Sequence, residues 1–141
     1  MFQVIPFQAA HLGAIRLQES QVYLSEWVTD EQAHALADHP SYTALDGNTV
    51  LGAAGVIPIW QGRAMAWSFI SRTGPQNFLK CHNVVKRFLA GCYVQRIEMT
   101  VDCDTPAAHR WARLLGFEME AERMRGYSPD GRDCALYARV L

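Results

Sequence analysis

The chain has 141 residues, of which 50% are hydrophobic and 19% are charged. This composition is typical of one globular domain, residues 1–141, with a buried core. The net charge of −1 argues against nucleic acid or an anionic membrane as a partner, because both attract proteins through their phosphate charge. The sequence also lacks an apolar run of ~20 residues and the basic, apolar start of a signal peptide, so we expect a cytoplasmic protein.

The four cysteines lie far apart, at positions 81, 92, 103 and 134, and they form no C-x-x-C pair. A zinc site usually needs closely spaced ligands, so we expect no metal. In a chain without a signal peptide, scattered cysteines are typical of reduced thiols that fill small apolar spaces.

The first half of the chain predicts a strand, two helices and three further strands. Residues 2–7 form an apolar-rich strand, and the apolar residues over 8–20 predict a helix. Thr29 and Gln32 have the spacing of a capping box, which predicts a second helix as far as Ala37. Two groups of turn residues, 46–48 and 61–62, separate strands at 42–45, 50–60 and 64–71.

The second half predicts two helices, each preceded by a strand, and a final hairpin. Apolar residues recur at helical intervals after Gly74-Pro75, and residues 96–102 alternate as a strand. Thr105-Pro106 predicts the cap and first position of another helix, which Gly116 ends. Residues 117–127 and 132–140 form the hairpin. The order β-α-α-β-β-β-α-β-α-β-β predicts an α/β domain with a mixed sheet that includes parallel pairing.

The last predicted helix carries a motif. In the segment VDCDTPAAHRWARLLGFE, five residues form a pattern: Ala108, Trp111, Leu115, Gly116 and Phe117. The segment resembles the second signature region of the GCN5-related N-acetyltransferases, where a polar loop leads into a helix reading A-x-x-L-Y-x-K-x-G-F. The order of elements resembles that family from end to end. The resemblance implies the family's fold, with splayed central strands, and transfer of an acetyl group from acetyl-CoA to an amine by direct attack.

The same resemblance implies where acetyl-CoA binds. The family's pyrophosphate loop corresponds to SRTGPQN at 71–77, and the strand before it and the loop before the last predicted helix also contact the cofactor. The implied cofactor-binding residues are Phe69, Ile70, Ser71, Arg72, Gly74, Gln76, Asn77 and Thr105. Amides at a helix N-terminus favour an anion, and a glycine lets the backbone approach it. This loop departs from the family pattern because Arg72 is one residue too close to Gly74, Pro75 lacks an amide, and Gln76 replaces a small residue.

The family's proton-transfer groups are replaced in this sequence. Its tyrosine aligns with Ala112, its loop asparagine aligns with Thr105, and strand 64–71 holds no carboxylate. Candidate substitutes are Tyr127 as a hydroxyl, His109 as a group that titrates near neutrality, and Asp104 as a carboxylate. The alternatives are a tyrosine that covers the core, a solvated helix histidine, and an aspartate that, with Asp102, caps the next helix.

The acceptor pocket of the family corresponds to Glu19, Glu26 and Trp27, and the acceptor would be an amine on a small molecule or a protein. A narrower resemblance, carried by GYSPDGRD at 126–133, is to small bacteriophage proteins with this fold, some of them virion proteins. It implies an alternative function: a phage-encoded interaction module that has lost catalysis, located in the host cytoplasm or the virion. Trp27 and Trp60 would then contact phage or host proteins.

Overall fold

The computed structural model describes residues 1–16, 21 and 28–141. Within this part of the chain the elements are β1 (Phe2–Pro6), α1 (Ala9–Leu12), α2 (Asp30–Ala37), β2 (Ser41–Asp46), β3 (Thr49–Trp60), β4 (Arg63–Ile70), α3 (Pro75–Ala90), β5 (Arg96–Asp102), α4 (Pro106–Leu114), β6 (Glu118–Met124) and β7 (Cys134–Val140). The strands form one sheet in the order β1-β2-β3-β4-β5-β7-β6. This arrangement confirms the predicted α/β class and the predicted order of elements.

The sheet combines one parallel pairing with several antiparallel ones. β4 runs parallel to β5, with Arg63 opposite Arg96 and Met65 opposite Glu98. α3 connects these two strands, as a parallel crossover requires, so the predicted parallel pairing is confirmed. The pairs β1–β2, β2–β3, β5–β7 and β6–β7 are antiparallel.

The chain divides into two compact units, which we call the N-terminal unit (Met1–Ile57 and Ala66–Cys92) and the C-terminal unit (Pro58–Met65 and Tyr93–Leu141). In the N-terminal unit a buried cluster contains Phe7, Ile15, Val50, Ala53 and Phe69, and Trp67 packs against it. In the C-terminal unit Ile97, Ala112, Ala135 and Tyr137 are fully buried. The single domain expected from the sequence stays a prediction.

Local sequence signals place several element ends as predicted. Gly47 and Gly62 adopt positive φ angles of 60° and 88° in the two predicted turns, a conformation that glycine adopts without strain. At the start of α2, the backbone amide of Gln32 donates to Thr29 Oγ1 at 3.2 Å, and the backbone amide of Thr29 donates to Gln32 Oε1 at 2.9 Å. The capping box is therefore confirmed.

The first helix is shorter than predicted. We expected a helix over residues 8–20, but α1 ends at Leu12, and Gly13 and Ala14 form a turn that brings Ile15 into the buried cluster. Tertiary burial of Ile15 outweighs the modest helix preference of this stretch. Residues 17–20 lie outside the described part of the chain.

The longest described helix, α3, has 16 residues, and none of the described helices is both long and apolar enough to cross a membrane.

A glycine is required where β2 and β3 approach each other. Gly55 lies opposite Ser41, and a Cβ atom built on Gly55 would lie 2.5 Å from the Pro40 carbonyl oxygen and 2.7 Å from Ser41 Cβ. Both distances are far below van der Waals contact, and two of the three atoms that a methyl group would meet belong to the backbone.

Candidate functional site

The C-terminal half of β4 offers backbone polar groups on one edge. In an extended strand, alternate residues point their N–H and C=O groups toward opposite edges. The Ser71 amide donates to the Leu51 carbonyl of β3 at 2.8 Å, so odd-numbered residues face β3. At the other end of the strand, the carbonyl of Gly62 accepts from the Arg96 amide, so even-numbered residues face the opposite edge. Ser68 and Ile70 belong to this second set.

The groups on this second edge are occupied by Gln21. Gln21 Nε2 donates to the Ser68 carbonyl at 2.8 Å, and Gln21 Oε1 accepts from the Ile70 amide at 3.0 Å. Just beyond the strand, the Arg72 amide donates to the Arg16 carbonyl at 2.8 Å. Three consecutive even-numbered residues thus bond to the segment between α1 and α2.

The predicted cofactor loop leads from β4 into α3. Phe69, Ile70 and Ser71 are buried, so a ligand on the strand edge could reach their backbone groups only where the present hydrogen-bond partners leave. Gly74 caps the helix with extended backbone and no side-chain bond, and Pro75 occupies the first turn. A Cβ atom on Gly74 would meet nothing within 4 Å, so this glycine leaves open space beside the loop.

The start of α3 has the charge pattern of an anion site. The first turn contains no acidic residue, and Arg72 and Gln76 are exposed beside it. The amides of Gln76 and Asn77 fall in the first turn, where backbone amides have no partner within the helix. The helix dipole adds partial positive charge there. The predicted residues from Phe69 to Asn77 therefore form one continuous segment of the N-terminal unit.

Thr105 lies in the C-terminal unit, at the N-cap position of α4. The predicted positions of Thr105 and Pro106 at the start of this helix are confirmed, but the Thr105 side chain makes no capping hydrogen bond. Other bonds hold the turn. The Thr105 amide donates to the Asp102 carbonyl at 3.1 Å, and the Asp104 amide donates to Asp102 Oδ1 at 2.8 Å. Asp102 thus orders the turn, and the Asp104 side chain is left exposed.

His109 follows one turn later in α4, and both of its ring nitrogens have partners. Nε2 lies 3.1 Å from the Cys103 carbonyl, which can only accept, so Nε2 carries the proton in that bond. Nδ1 lies 2.7 Å from the hydroxyl of Tyr137 and accepts a hydrogen bond from it when the imidazole is neutral. Tyr137 is fully buried on β7, and no sequence motif indicates it; only its place in an alternating strand does.

Tyr127 lies apart from this group along the chain, in the turn between β6 and β7. Its side chain is 50% exposed. The turn is fixed by Asp133, whose carboxylate accepts from the Gly126 amide at 2.8 Å and from Arg123 at 2.7 Å. The structure therefore places His109 and Asp104 at the start of α4, and Tyr127 in the final hairpin.

Glu98 is a buried carboxylate that the sequence analysis did not single out. Its residue is 4% exposed, and it accepts from Arg63 at 2.5 and 3.0 Å and from Arg96 at 2.8 Å. The hydrogen bonds from Arg63 lower the pKa of Glu98 to about 2, against the opposing effect of burial. A carboxylate with so low a pKa is a weak base, so Glu98 is suited to holding β4 and β5 in register rather than to proton abstraction.

The predicted acceptor-pocket residues Glu19, Glu26 and Trp27 lie outside the described residues. Among the residues that are described, no group of three His, Cys, Asp or Glu side chains is arranged to hold a metal ion.

No protein-family model and no curated protein matches the sequence, whereas many solved structures match the fold. The Ard1 protein from Thermoplasma volcanium has a TM-score of 0.80 at 16% identity, over 99% of this chain and 97% of that one. An N-acetyltransferase from Staphylococcus aureus Mu50 has a TM-score of 0.73 at 9% identity, over 99% and 97%. A GNAT-family acetyltransferase from Streptococcus pneumoniae has a TM-score of 0.69 at 12% identity, over the whole of both chains.

The matches to these structures cover essentially the complete chain. At such low identity they establish architecture rather than chemistry. The chain therefore has the fold of the GCN5-related N-acetyltransferases.

Proposed function

We propose that the protein is an acetyl-CoA-dependent N-acetyltransferase that binds its acyl donor along residues 69–77. The observation that carries this proposal is the edge of β4 that faces away from β3. There the Ser68 carbonyl accepts from, and the Ile70 amide donates to, one carboxamide group, that of Gln21. The pantetheine arm of coenzyme A contains amides that fit such an edge. The strand then leads to the N-terminus of α3, where Arg72 and the first-turn amides suit a pyrophosphate.

Bound acetyl-CoA would supply an acetyl thioester, whose carbonyl carbon forms a bond to the amine nitrogen while the carbon–sulfur bond breaks and the sulfur leaves as a thiolate. Another backbone amide on this strand edge would polarise the thioester carbonyl. A proton must leave the amine, and a proton must reach the thiolate. We assign these transfers to the candidates that the sequence offers, Tyr127, His109 and Asp104. Of the three, Tyr127 and Asp104 have exposed side chains.

Direct attack is favoured over a covalent intermediate on cysteine. Burial raises the pKa of Cys81 and Cys103, and it raises the pKa of Cys134 to about 11. Thiols with raised pKa values carry little thiolate at neutral pH, and the thiolate is the nucleophile. Positioning the amine beside the thioester supplies catalysis without an acyl-enzyme.

Isothermal titration with acetyl-CoA tests the proposal. We expect Arg72→Ala to weaken binding about five- to tenfold, because one charge-assisted phosphate contact is lost. Arg87→Ala is the matched control, since it removes an exposed arginine from the last turn of the same helix. We expect it to change binding less than twofold. No binding of acetyl-CoA to the unaltered protein at millimolar concentration would overturn the proposal.

A second candidate function is an interaction module with this fold and no transfer activity, encoded by a bacteriophage. Trp60 favours it: the side chain is 62% exposed at the end of β3, with the Arg63 guanidinium 4.5 Å from the ring centroid. Exposed tryptophan and arginine are typical anchors of protein interfaces. Copurification with phage particles that Trp60→Ala abolishes would support this function, and turnover of acetyl-CoA by the purified protein would count against it.

A further inference from the structure

Gln21 satisfies two backbone groups of β4 with one side chain. A primary carboxamide has a carbonyl oxygen and an N–H group in one plane, so it accepts from Ile70 and donates to Ser68 as a neighbouring strand would. The distances of 2.8 and 3.0 Å are those of well-formed hydrogen bonds. In this respect the side chain of Gln21 substitutes for an extended ligand on the strand edge.

The described backbone that precedes Gln21 is also bonded to the end of β4. The Arg16 carbonyl accepts from the Arg72 amide at 2.8 Å, which fastens the segment after α1 to the end of β4. Ile15, beside Arg16, is 8% exposed and belongs to the buried cluster of the N-terminal unit. Because Gln21 follows soon after Arg16 in the sequence, this bond keeps Gln21 within reach of the strand edge before any ligand arrives.

We propose that Gln21 is an intramolecular plug, whose carboxamide occupies the ligand-binding edge of β4 and must leave before an acyl-coenzyme A can bind there. This inference rests on the proposed function, because it takes the Ser68–Ile70 edge as the place where the pantetheine amides bind. The plug lowers the apparent affinity for the donor, since each ligand molecule must displace two existing hydrogen bonds. It also satisfies the Ile70 amide and the Ser68 carbonyl in the free protein, where both groups are partly buried.

Two variants of Gln21 separate its hydrogen bonds from its bulk. Gln21→Met keeps a side chain of similar length without either bond, and Gln21→Ala removes both bulk and bonds. Gln61→Ala is the matched control, because Gln61 is an exposed glutamine in the turn before β4. We expect acetyl-CoA to bind roughly tenfold more tightly to both Gln21 variants in isothermal titration, since two competing hydrogen bonds are lost. The control should bind like the unaltered protein.

Amide hydrogen exchange of Ile70, measured by NMR without any ligand, tests the contact itself. We expect exchange to become faster in both Gln21 variants and to stay unchanged in Gln61→Ala, because the Ile70 N–H loses its acceptor. Unchanged exchange in the Gln21 variants would overturn the plug, as would unchanged or weaker binding of acetyl-CoA. Faster exchange combined with no acetyl-CoA binding by any form of the protein would overturn the proposed function, and the role of Gln21 as a plug for that donor with it.

Discussion

The two neighbours of His109 select the tautomer of its neutral ring. The Cys103 carbonyl can only accept a hydrogen bond, so the hydroxyl of the fully buried Tyr137 donates to the other ring nitrogen. For His109 to act in proton transfer, one of these two hydrogen bonds must open. The residue therefore contributes to the stability of the C-terminal unit whatever its part in catalysis.

Replacing Tyr137 with Phe removes the hydroxyl and leaves His109 Nδ1 without that donor. We expect the free energy of unfolding to fall by about 1–2 kcal/mol, the usual cost of an unsatisfied buried polar group. Tyr42→Phe is the matched control, because the Tyr42 residue is 43% exposed and its ring packs edge-on against Phe88. It should change stability by less than about 0.5 kcal/mol. Chemical denaturation measures the free energy of unfolding of both variants. An equal loss in the two variants would contradict a stabilising role for the Tyr137–His109 hydrogen bond.

At the scale of elements, two helices begin at a threonine with different consequences. Thr29 accepts a hydrogen bond from the Gln32 amide, whereas Thr105 makes no side-chain capping bond at α4. Local sequence signals predict both positions as caps. At α2 the second signal is Gln32, whose side chain completes a capping box, whereas at α4 it is Pro106, which forms no side-chain hydrogen bond.

This difference predicts unequal costs for the same substitution. Thr29→Ala should lower the free energy of unfolding by about 1 kcal/mol, since a first-turn amide loses its acceptor. Thr105→Ala should lower it by less than about 0.5 kcal/mol, because no capping bond is lost. Thermal denaturation of both variants under one set of conditions provides the comparison. A larger effect at Thr105 would show that its side chain caps the helix in solution.

Across the whole molecule, local sequence patterns predict the order of helices and strands. They do not predict hydrogen bonds between residues that are far apart in the sequence. Turn glycines such as Gly47 and Gly62 act within a few residues and mark where strands end. The bond between Gln21 and Ile70 joins residues 49 positions apart, and the bonds between Arg63 and Glu98 join residues 35 apart. No local pattern in the sequence encodes such pairs, so the candidate site was predicted as a loop and helix start, without the group that occupies its strand edge.

The ion pairs of Glu98 make the free energy of unfolding depend on pH in the acid range. Its pKa falls from 4.5 to about 2 on folding, chiefly through hydrogen bonds from Arg63. A lowered pKa in the folded state means that the unfolded chain binds the proton first. The stability due to Glu98 is therefore present above about pH 4.5 and is lost as the pH falls toward about 2.

Glu98→Gln should lower the free energy of unfolding at neutral pH by about 3 kcal/mol, because two arginines lose a buried partner. Its stability should also fall less steeply than that of the unaltered protein between about pH 4.5 and 2. Glu118→Gln, on an exposed position of β6, serves as the control and should keep the original pH dependence. Denaturant titrations across this pH range measure both effects. Parallel pH profiles for the unaltered and Glu98→Gln proteins would contradict the assignment.

The close approach at Gly55 has a consequence for sequence divergence. A side chain there would collide with the backbone of Pro40 and Ser41, so position 55 can change only if β2 and β3 move apart. This restriction comes from geometry and holds whether or not the chain catalyses a reaction. Solved structures with this fold share as little as 9% identity with the chain. Among sequences descended from a common ancestor with this one, Gly55 should therefore persist after most other residues have changed, and it offers a fixed point for aligning them.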